Sequence, residues 1–273
     1  MQRISWEDLS SDLRQAIEAR TGPILFARTA ASGHNSPVAA TVETASGKTF
    51  VKGLPSDDHG VKGQLREIAV APMVRHISPP LLWHFDEAGW TVLGYAHVDG
   101  RHADYSPGSP DPDALVPVLE ALGEVEVLTP SPYFKLAEDR WKTYVSDAIE
   151  LEAFSGTTLQ HTDWIPDNVL ITRDRPYLID WAWPTLGAAW MDAASLLIRL
   201  VASGHTVNDA EAFASRISAY AEAETAHVDA FANANVRMWD EIERQNANHA
   251  TTPWMRSVVA AAREWAATRP RQR

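Results

Sequence analysis

The 273-residue sequence predicts an α+β chain in two lobes, a small β-rich one over about residues 1–98 and a mainly helical one over 99–273. Three observations carry this. Short β-branched runs separated by turn residues fill the first part. The stretch 99–113, "DGRHADYSPGSPDPD", is dense in Gly, Pro and Asp, which interrupt regular structure. From Ala114 onward apolar residues recur at helical spacing, interrupted by one hairpin-like pattern at 169–180.

In order, residues 5–20 read as an amphipathic helix. Ser5 caps it, Leu9, Leu13 and Ile17 share a face, and Gly22-Pro23 ends it. Ile24 to Phe26 reads as a strand. Val38–Thr44 and Thr49–Lys52 read as a hairpin turning at Ser46-Gly47. A helix is expected within 60–77, with Leu65, Ile68, Ala69 and Met73 on one face, then a strand within 89–98. In the second lobe "VLIT" and "YLID" flank the polar turn "RDRP". Asn208 with Glu211 reads as a capping box opening a helix over 209–224, and Thr252-Pro253 opens a last helix carrying Trp254, Val258 and Trp265. There is no internal repeat.

Bulk properties narrow the function. The absence of cysteine excludes disulfides and thiolate metal sites and accords with a reducing, cytoplasmic setting. The N-terminus lacks a signal-peptide core, and no run reaches the roughly 18 apolar residues of a membrane span. A net charge of -12 without a basic cluster argues against a nucleic-acid partner. It suits either a cationic partner or simple solubility.

The densest chemistry lies in "LQHTDWIPDNVLIT" (159–172) followed by "YLIDWAWP" (177–184). His161, Asp163 and Asn168 crowd together, and the hairpin delivers Asp180. Asn168 and Asp180 are hard oxygen donors of the kind that suit Mg²⁺, a cation that lets such acceptors coexist. Asp163, on a turn with Pro166, is left to orient a nucleophile.

This pattern resembles the catalytic loop of the aminoglycoside phosphotransferase family, which shares the protein-kinase-like fold: His161-Thr162-Asp163, then Asn168, then Ile179-Asp180-Trp181. The resemblance implies that a small nucleotide-binding lobe precedes a catalytic and acceptor-binding lobe. It implies transfer of the γ-phosphoryl group of ATP or GTP to a hydroxyl. Asp163 then serves as catalytic residue, Asn168 and Asp180 as Mg²⁺ ligands, and His161 and Asp192 (in "GAAWMDAASLL") as loop supports. Lys52 in "TFVKG" takes the place of the phosphate-pairing lysine, and Glu67 in "QLREIA" that of its partner; Lys62 and Glu43 are the rival positions. "VLGYAHVDGR" (92–101) resembles the hinge against the purine, which puts Tyr95 and His97 beside the nucleotide. The loop "ASGHNSPVAA" holds one glycine where protein kinases have three, and Gly33 to Ser36 are the expected phosphate contacts. Ala182 replaces the glycine two places after the metal aspartate, and the next helical pattern starts too soon for a long activation segment. The first argues against a mobile switch of the protein-kinase kind, and the second against a protein substrate.

The family default for that acceptor is an antibiotic, aminoglycoside-like or nucleoside-type. A metabolic kinase on choline, a sugar or an amino alcohol is the alternative, as is a nucleotide-binding protein without turnover. Trp164, after Asp163 on a turn expected to be exposed, is a candidate for stacking on the acceptor, whereas Trp183 and Trp190 read as core. Asp240, Glu241 and Glu243 are candidates for binding the amino groups of a cationic acceptor.

Overall fold

The structure, a computed structural model, describes residues 3–31, 36–129, 131–245 and 253–269. The chain divides into two compact units: Met1–Arg101 with Thr172–Ala182, and His102–Ile171 with Trp183–Arg273.

The first unit carries α1 (Ser11–Thr21), β1 (Ile24–Thr29), β2 (Val38–Thr44), β3 (Gly47–Pro55), α2 (Val61–Val70), β4 (Leu81–Glu87) and β5 (Trp90–Ala96). The strands form one antiparallel sheet in the order β1-β2-β3-β5-β4. The β2–β3 turn needs Gly47, at φ 130°. Ala88 and Gly89, both at positive φ, make the tight β4–β5 connection, a geometry whose twist matches the strands it joins. Leu13 and Ile17 of α1 pack on Val42, Val51, Phe85 and Val92 to form the core of this unit.

The first helix starts later than expected. Trp6–Asp8 is a short 3-10 turn, and Ser10 rather than Ser5 caps α1, accepting from the Leu13 N–H. Ser5 instead donates its hydroxyl to Asp8, a local bond that competes with helix entry. α2 ends at Val70: Ala71 still has helical geometry and donates to the Glu67 carbonyl, but Pro72 has no N–H with which to extend the ladder. Its buried face is also not the expected one: Gln64, Glu67 and Val70 are buried, Leu65, Ile68 and Ala69 half-buried, and Met73 exposed. Polar residues on the inner face of a helix mark a position where burial serves something other than packing.

The second unit begins with β6 (Arg101–His102, its first residue belonging to the first unit), then α3 (Asp111–Ala114), α4 (Val116–Gly123), β7 (Lys135–Leu136), α5 (Ala137–Trp141), α6 (Ala148–Glu152) and β8 (Thr158–Gln160). β9 (Val169–Ile171) follows in this unit, and β10 (Pro176–Leu178), which belongs to the first unit, comes after the expected turn, which Thr172 closes by accepting from the Asp174 and Arg175 N–H groups. β11 (Thr185–Gly187) pairs with β7 and β8. Then come α7 (Met191–Ala202), α8 (Val207–Ala214), α9 (Ser218–Ala221), α10 (Thr225–Gln245) and α11 (Pro253–Ala267).

α7 is buried on nearly every side, as its near-continuous apolar sequence requires. Rings of Trp141, Phe154, Trp190, Phe231 and Trp265 form an aromatic core. The cap of α8 is Thr206, bonded to the Asp209 N–H (3.1 Å), not Asn208. Glu211 is drawn away from capping because Trp265 Nε1–H (2.6 Å) and Arg269 (2.6 Å) both bond it. The expected helix over 209–224 is two short ones, α8 and α9, separated where Ile217 is extended. In α11 Val258 and Trp265 are buried as expected, Trp254 is exposed, and Thr252 lies outside the described residues. Among the described residues no helix is long and apolar enough to cross a membrane.

Candidate active site

In the first unit the pleat of β3 turns Val51 and Gly53 inward, and Lys52 to the other face. There Lys52 Nζ lies 2.6 Å from Glu67 Oε2 and 3.5 Å from Asp180 Oδ1. Tyr95 donates its hydroxyl to the same Glu67 oxygen at 2.9 Å, and Lys52 Nζ stands 5.9 Å from the Tyr95 ring centre. The burial of Glu67 on the inner face of α2 is thus explained: its carboxylate holds the lysine.

Burial alone would lower the Lys52 ammonium, but Glu67 and Asp180 overcome it and push its pKa up to about 12. Burial raises the Glu67 carboxyl, and Lys52 pulls in the opposite direction. Asp180 sits at φ 64°, in the left-handed region that aspartate tolerates better than most residues. Trp181 Nε1–H donates to Ser78 Oγ (2.9 Å) and Arg66 to the Ala182 carbonyl (3.1 Å), fastening the segment after Asp180.

Lys52, Glu67, Tyr95 and Asp180 therefore come together. His97 lies just past β5, its N–H donating to the Lys48 carbonyl (3.4 Å), with burial lowering its imidazole. The Ser36 carbonyl accepts from Arg3 (2.7 Å), and Gly33 lies outside the described residues. Lys62 is exposed, and Glu43 pairs with Lys48 at 3.8 Å, so neither rival joins the cluster.

In the second unit the buried Asp192 holds the loop. Its two oxygens accept from the His161 N–H (2.6 Å) and the Thr162 N–H (2.8 Å), while its own N–H donates to Gln160 Oε1 (2.9 Å). Burial raises the Asp192 carboxyl, and those N–H groups act against it. The clamp keeps Thr162 at φ 68°, unusual for a β-branched residue, and so aims Asp163 away from the core.

The Asp163 N–H donates to His161 Nδ1 (3.3 Å), which makes the buried His161 a support. The 3-10 turn Pro166–Asn168 brings Asn168 back, and its Nδ2 donates to the Asp163 carbonyl (3.0 Å) and to Oδ2 (3.1 Å). Spending its amide nitrogen on Asp163 leaves the Asn168 oxygen as the end available to a cation. Asp163 Oδ1 also meets Arg199 Nη2 at 3.3 Å, an α7 residue that no motif in the sequence singled out.

Asp163 borders a cavity of about 240 Å³ lined by Thr162, Arg140, Trp141, Trp183, Ser195, Ile198, Arg199, Asn235, Met238, Trp239 and Ile242. Three expectations change here. Trp164 is fully buried, its ring edge-on to His161, so it offers no face to an acceptor. Successive side chains along extended backbone alternate sides, so aiming Asp163 outward sends Trp164 into the core. Trp183, read as core, is 49% exposed and lines the cavity. On α10 the cavity face is Asn235, Met238, Trp239 and Ile242, one helical stripe. Asp240 and Glu243 fall on another face, where Arg263 pairs with them at 2.8 and 3.6 Å, and Glu241 accepts from Gln245 at 2.8 Å.

Residues 100–232 match the family model of the phosphotransferase enzyme family, APH. No curated protein sequence matches the chain. Among solved structures, choline kinase LicA from Streptococcus pneumoniae is similar at TM-score 0.65 and 14% identity, over 94% of this chain and 98% of that one. An aminoglycoside phosphotransferase from Alicyclobacillus acidocaldarius gives TM-score 0.61 and 12% identity, over 97% and 98%. A thermostable mutant of aminoglycoside phosphotransferase APH(4)-Ia, in a ternary complex with ADP and hygromycin B, gives 0.57 and 12%, over 92% and 98%.

The fold is that of the protein-kinase-like phosphotransferases, α+β with a β-rich first part and a helical second part. The match to the phosphotransferase enzyme family over residues 100–232 agrees with the resemblance carried by the catalytic-loop pattern. It is an enzyme of the kinase class, transferring phosphate to a hydroxyl group.

Proposed function

We propose that this protein is a Mg²⁺-dependent small-molecule kinase moving the γ-phosphoryl group of ATP or GTP to an alcohol. The observation that carries this reading is Lys52, held cationic between Glu67 (2.6 Å) and Asp180 (3.5 Å). A lysine raised to about 12 and tethered to a buried carboxylate neutralises nucleotide phosphates. Nucleotides bound by similar structures, AMP in one and ADP in another, favour the same donor class. Ser36 would face the phosphates, and Tyr95 and His97 the base, in a nucleotide-binding lobe over 1–98.

Asn168 and Asp180 are the proposed Mg²⁺ ligands. Among the described residues no group of three or more His, Cys, Asp or Glu side chains could hold a metal ion. An amide and a carboxylate fit an ion that takes its remaining ligands from water and phosphate. Bound there, Mg²⁺ would offset negative charge on the phosphates. Asp163 orients the acceptor hydroxyl and takes its proton as oxygen bonds to phosphorus and the nucleoside diphosphate leaves. Phosphoryl transfer needs placement and charge more than covalent help.

The test is turnover by the purified protein. Mg²⁺-dependent hydrolysis of ATP or GTP that disappears in Asp163→Ala supports the kinase. A wild type with neither hydrolysis nor transfer to any acceptor would make it a nucleotide-binding protein instead.

A further inference from the structure

The cavity beside Asp163 has a chemistry of its own. Among the described residues that line it, Asp163 is the only carboxylate, against the guanidinium groups of Arg140 and Arg199. The rest of the wall is aromatic or aliphatic, with Trp141, Trp183, Trp239, Ile198, Met238 and Ile242. A polycation would find almost nothing here to balance its charge.

Two hydrogen-bond donors of this wall are buried without a protein partner, Arg199 Nη1 and the indole nitrogen of Trp141. Arg199 is held rigidly, its side chain 11% exposed, Nη2 on Asp163 and the guanidinium 5.1 Å from the Trp239 ring centre. Buried donors left unpaired cost stability, and a fixed guanidinium is a strong carboxylate binder. The carboxylates once expected to bind an acceptor, Asp240 and Glu243, are engaged by Arg263 away from this wall.

We propose that the cavity selects a hydroxylated acceptor with an aromatic or aliphatic body and a carboxylate, which accepts from Arg199 Nη1 and the Trp141 indole. This rests on the kinase reading for the hydroxyl's fate, but binding can be measured without it. The acceptor's hydroxyl lies toward Asp163 and its ring among the tryptophans, and its charge opposes that of an aminoglycoside or choline.

The experiment uses three probes of one shape: para-hydroxymethyl benzoate, its benzamide and its benzylamine. Binding to the full chain is followed by calorimetry and tryptophan fluorescence, with choline and kanamycin alongside. The benzoate should bind about tenfold or more tighter than the benzamide, and the benzylamine weakest. Arg199→Gln should bring the benzoate down to the benzamide, and Arg199→Lys should restore part of the difference. Trp141→Phe, which removes the indole donor and trims the ring while keeping it aromatic, should weaken the benzoate severalfold more than the benzamide even if the arginine variants fold poorly.

Equal or tighter binding of the benzylamine, choline or kanamycin overturns the proposal, as does a benzoate that shows no preference or keeps it in both Arg199→Gln and Trp141→Phe. Nucleotide hydrolysis on the same preparation separates the two readings. Hydrolysis without charge preference sinks the acceptor class alone, and charge preference without hydrolysis or transfer sinks the kinase alone.

Discussion

Asp163 and Asp180 are the same residue type in one short stretch, and their neighbours divide their work. Asp180 lies beside an ammonium, Lys52, and Asp163 beside an amide and a guanidinium, Asn168 and Arg199. Asp163→Asn should lower kcat about 10²- to 10⁴-fold while leaving nucleotide affinity intact, because the amide keeps the shape and loses the proton acceptor. Asp180→Ala should abolish Mg²⁺-dependent nucleotide binding. Titration calorimetry on both variants checks the division, and equal loss of nucleotide affinity would contradict it. Lys52 supplies a pH signature. Its folded pKa, about 12, is above its ordinary 10.5. The stabilisation it provides is therefore complete below 10.5 and is lost as pH rises through about 12. Denaturant titrations should show a stability gap between wild type and Lys52→Met that is full at neutral pH and closes at strongly alkaline pH.

At the scale of elements, one carboxylate at the start of α7 fixes the loop that carries Asp163. Asp192→Ala orphans two N–H groups, at about 1–3 kcal/mol for each left buried. It should lower Tm and cut kcat together, whereas Thr206→Ala at the cap of α8 should cost about 1 kcal/mol and leave kcat alone. Thermal melts paired with turnover distinguish the two. The sequence announced the loop because its residues lie within one short stretch in a recognisable order. It announced β2, β3 and β5 because their alternation is local. β4 was missed: "LLWHFDE" alternates in burial, but its inward tryptophan, Trp83, seats against Gly94, a contact no neighbour in sequence reveals. The rotation of α2 was missed for a related reason, since its polar inner face looks like an outer one until Lys52 is placed beside it. Arg199, Arg140 and Trp183 were invisible as a set because α7, α5 and the segment before β11 bring them to one wall from distant positions. Asp240 and Glu243 were misread because a carboxylate's spacing on a helix does not say which face is inward.

At the scale of the whole molecule, charge at long range and charge in the cavity have opposite signs. The chain carries a net charge of -12, while the wall beside Asp163 sets two guanidiniums against one carboxylate. The two respond differently to salt. The field of the exposed charges is screened within about 10 Å at 0.1 M, whereas a pair excluded from water is screened far less. An anionic acceptor is repelled on approach and held once seated, so moderate salt should speed its arrival while weakening its grip only a little. A cationic acceptor is drawn in by the same field and should lose rate on the same change. Stopped-flow binding of para-hydroxymethyl benzoate should show an association rate rising about two- to threefold from about 0.01 to 0.15 M salt, with the dissociation rate nearly constant. A rate that falls with salt would mean that the cavity's own field, not the net charge, governs encounter. The basic wall would then have to be read as the guide as well as the clamp.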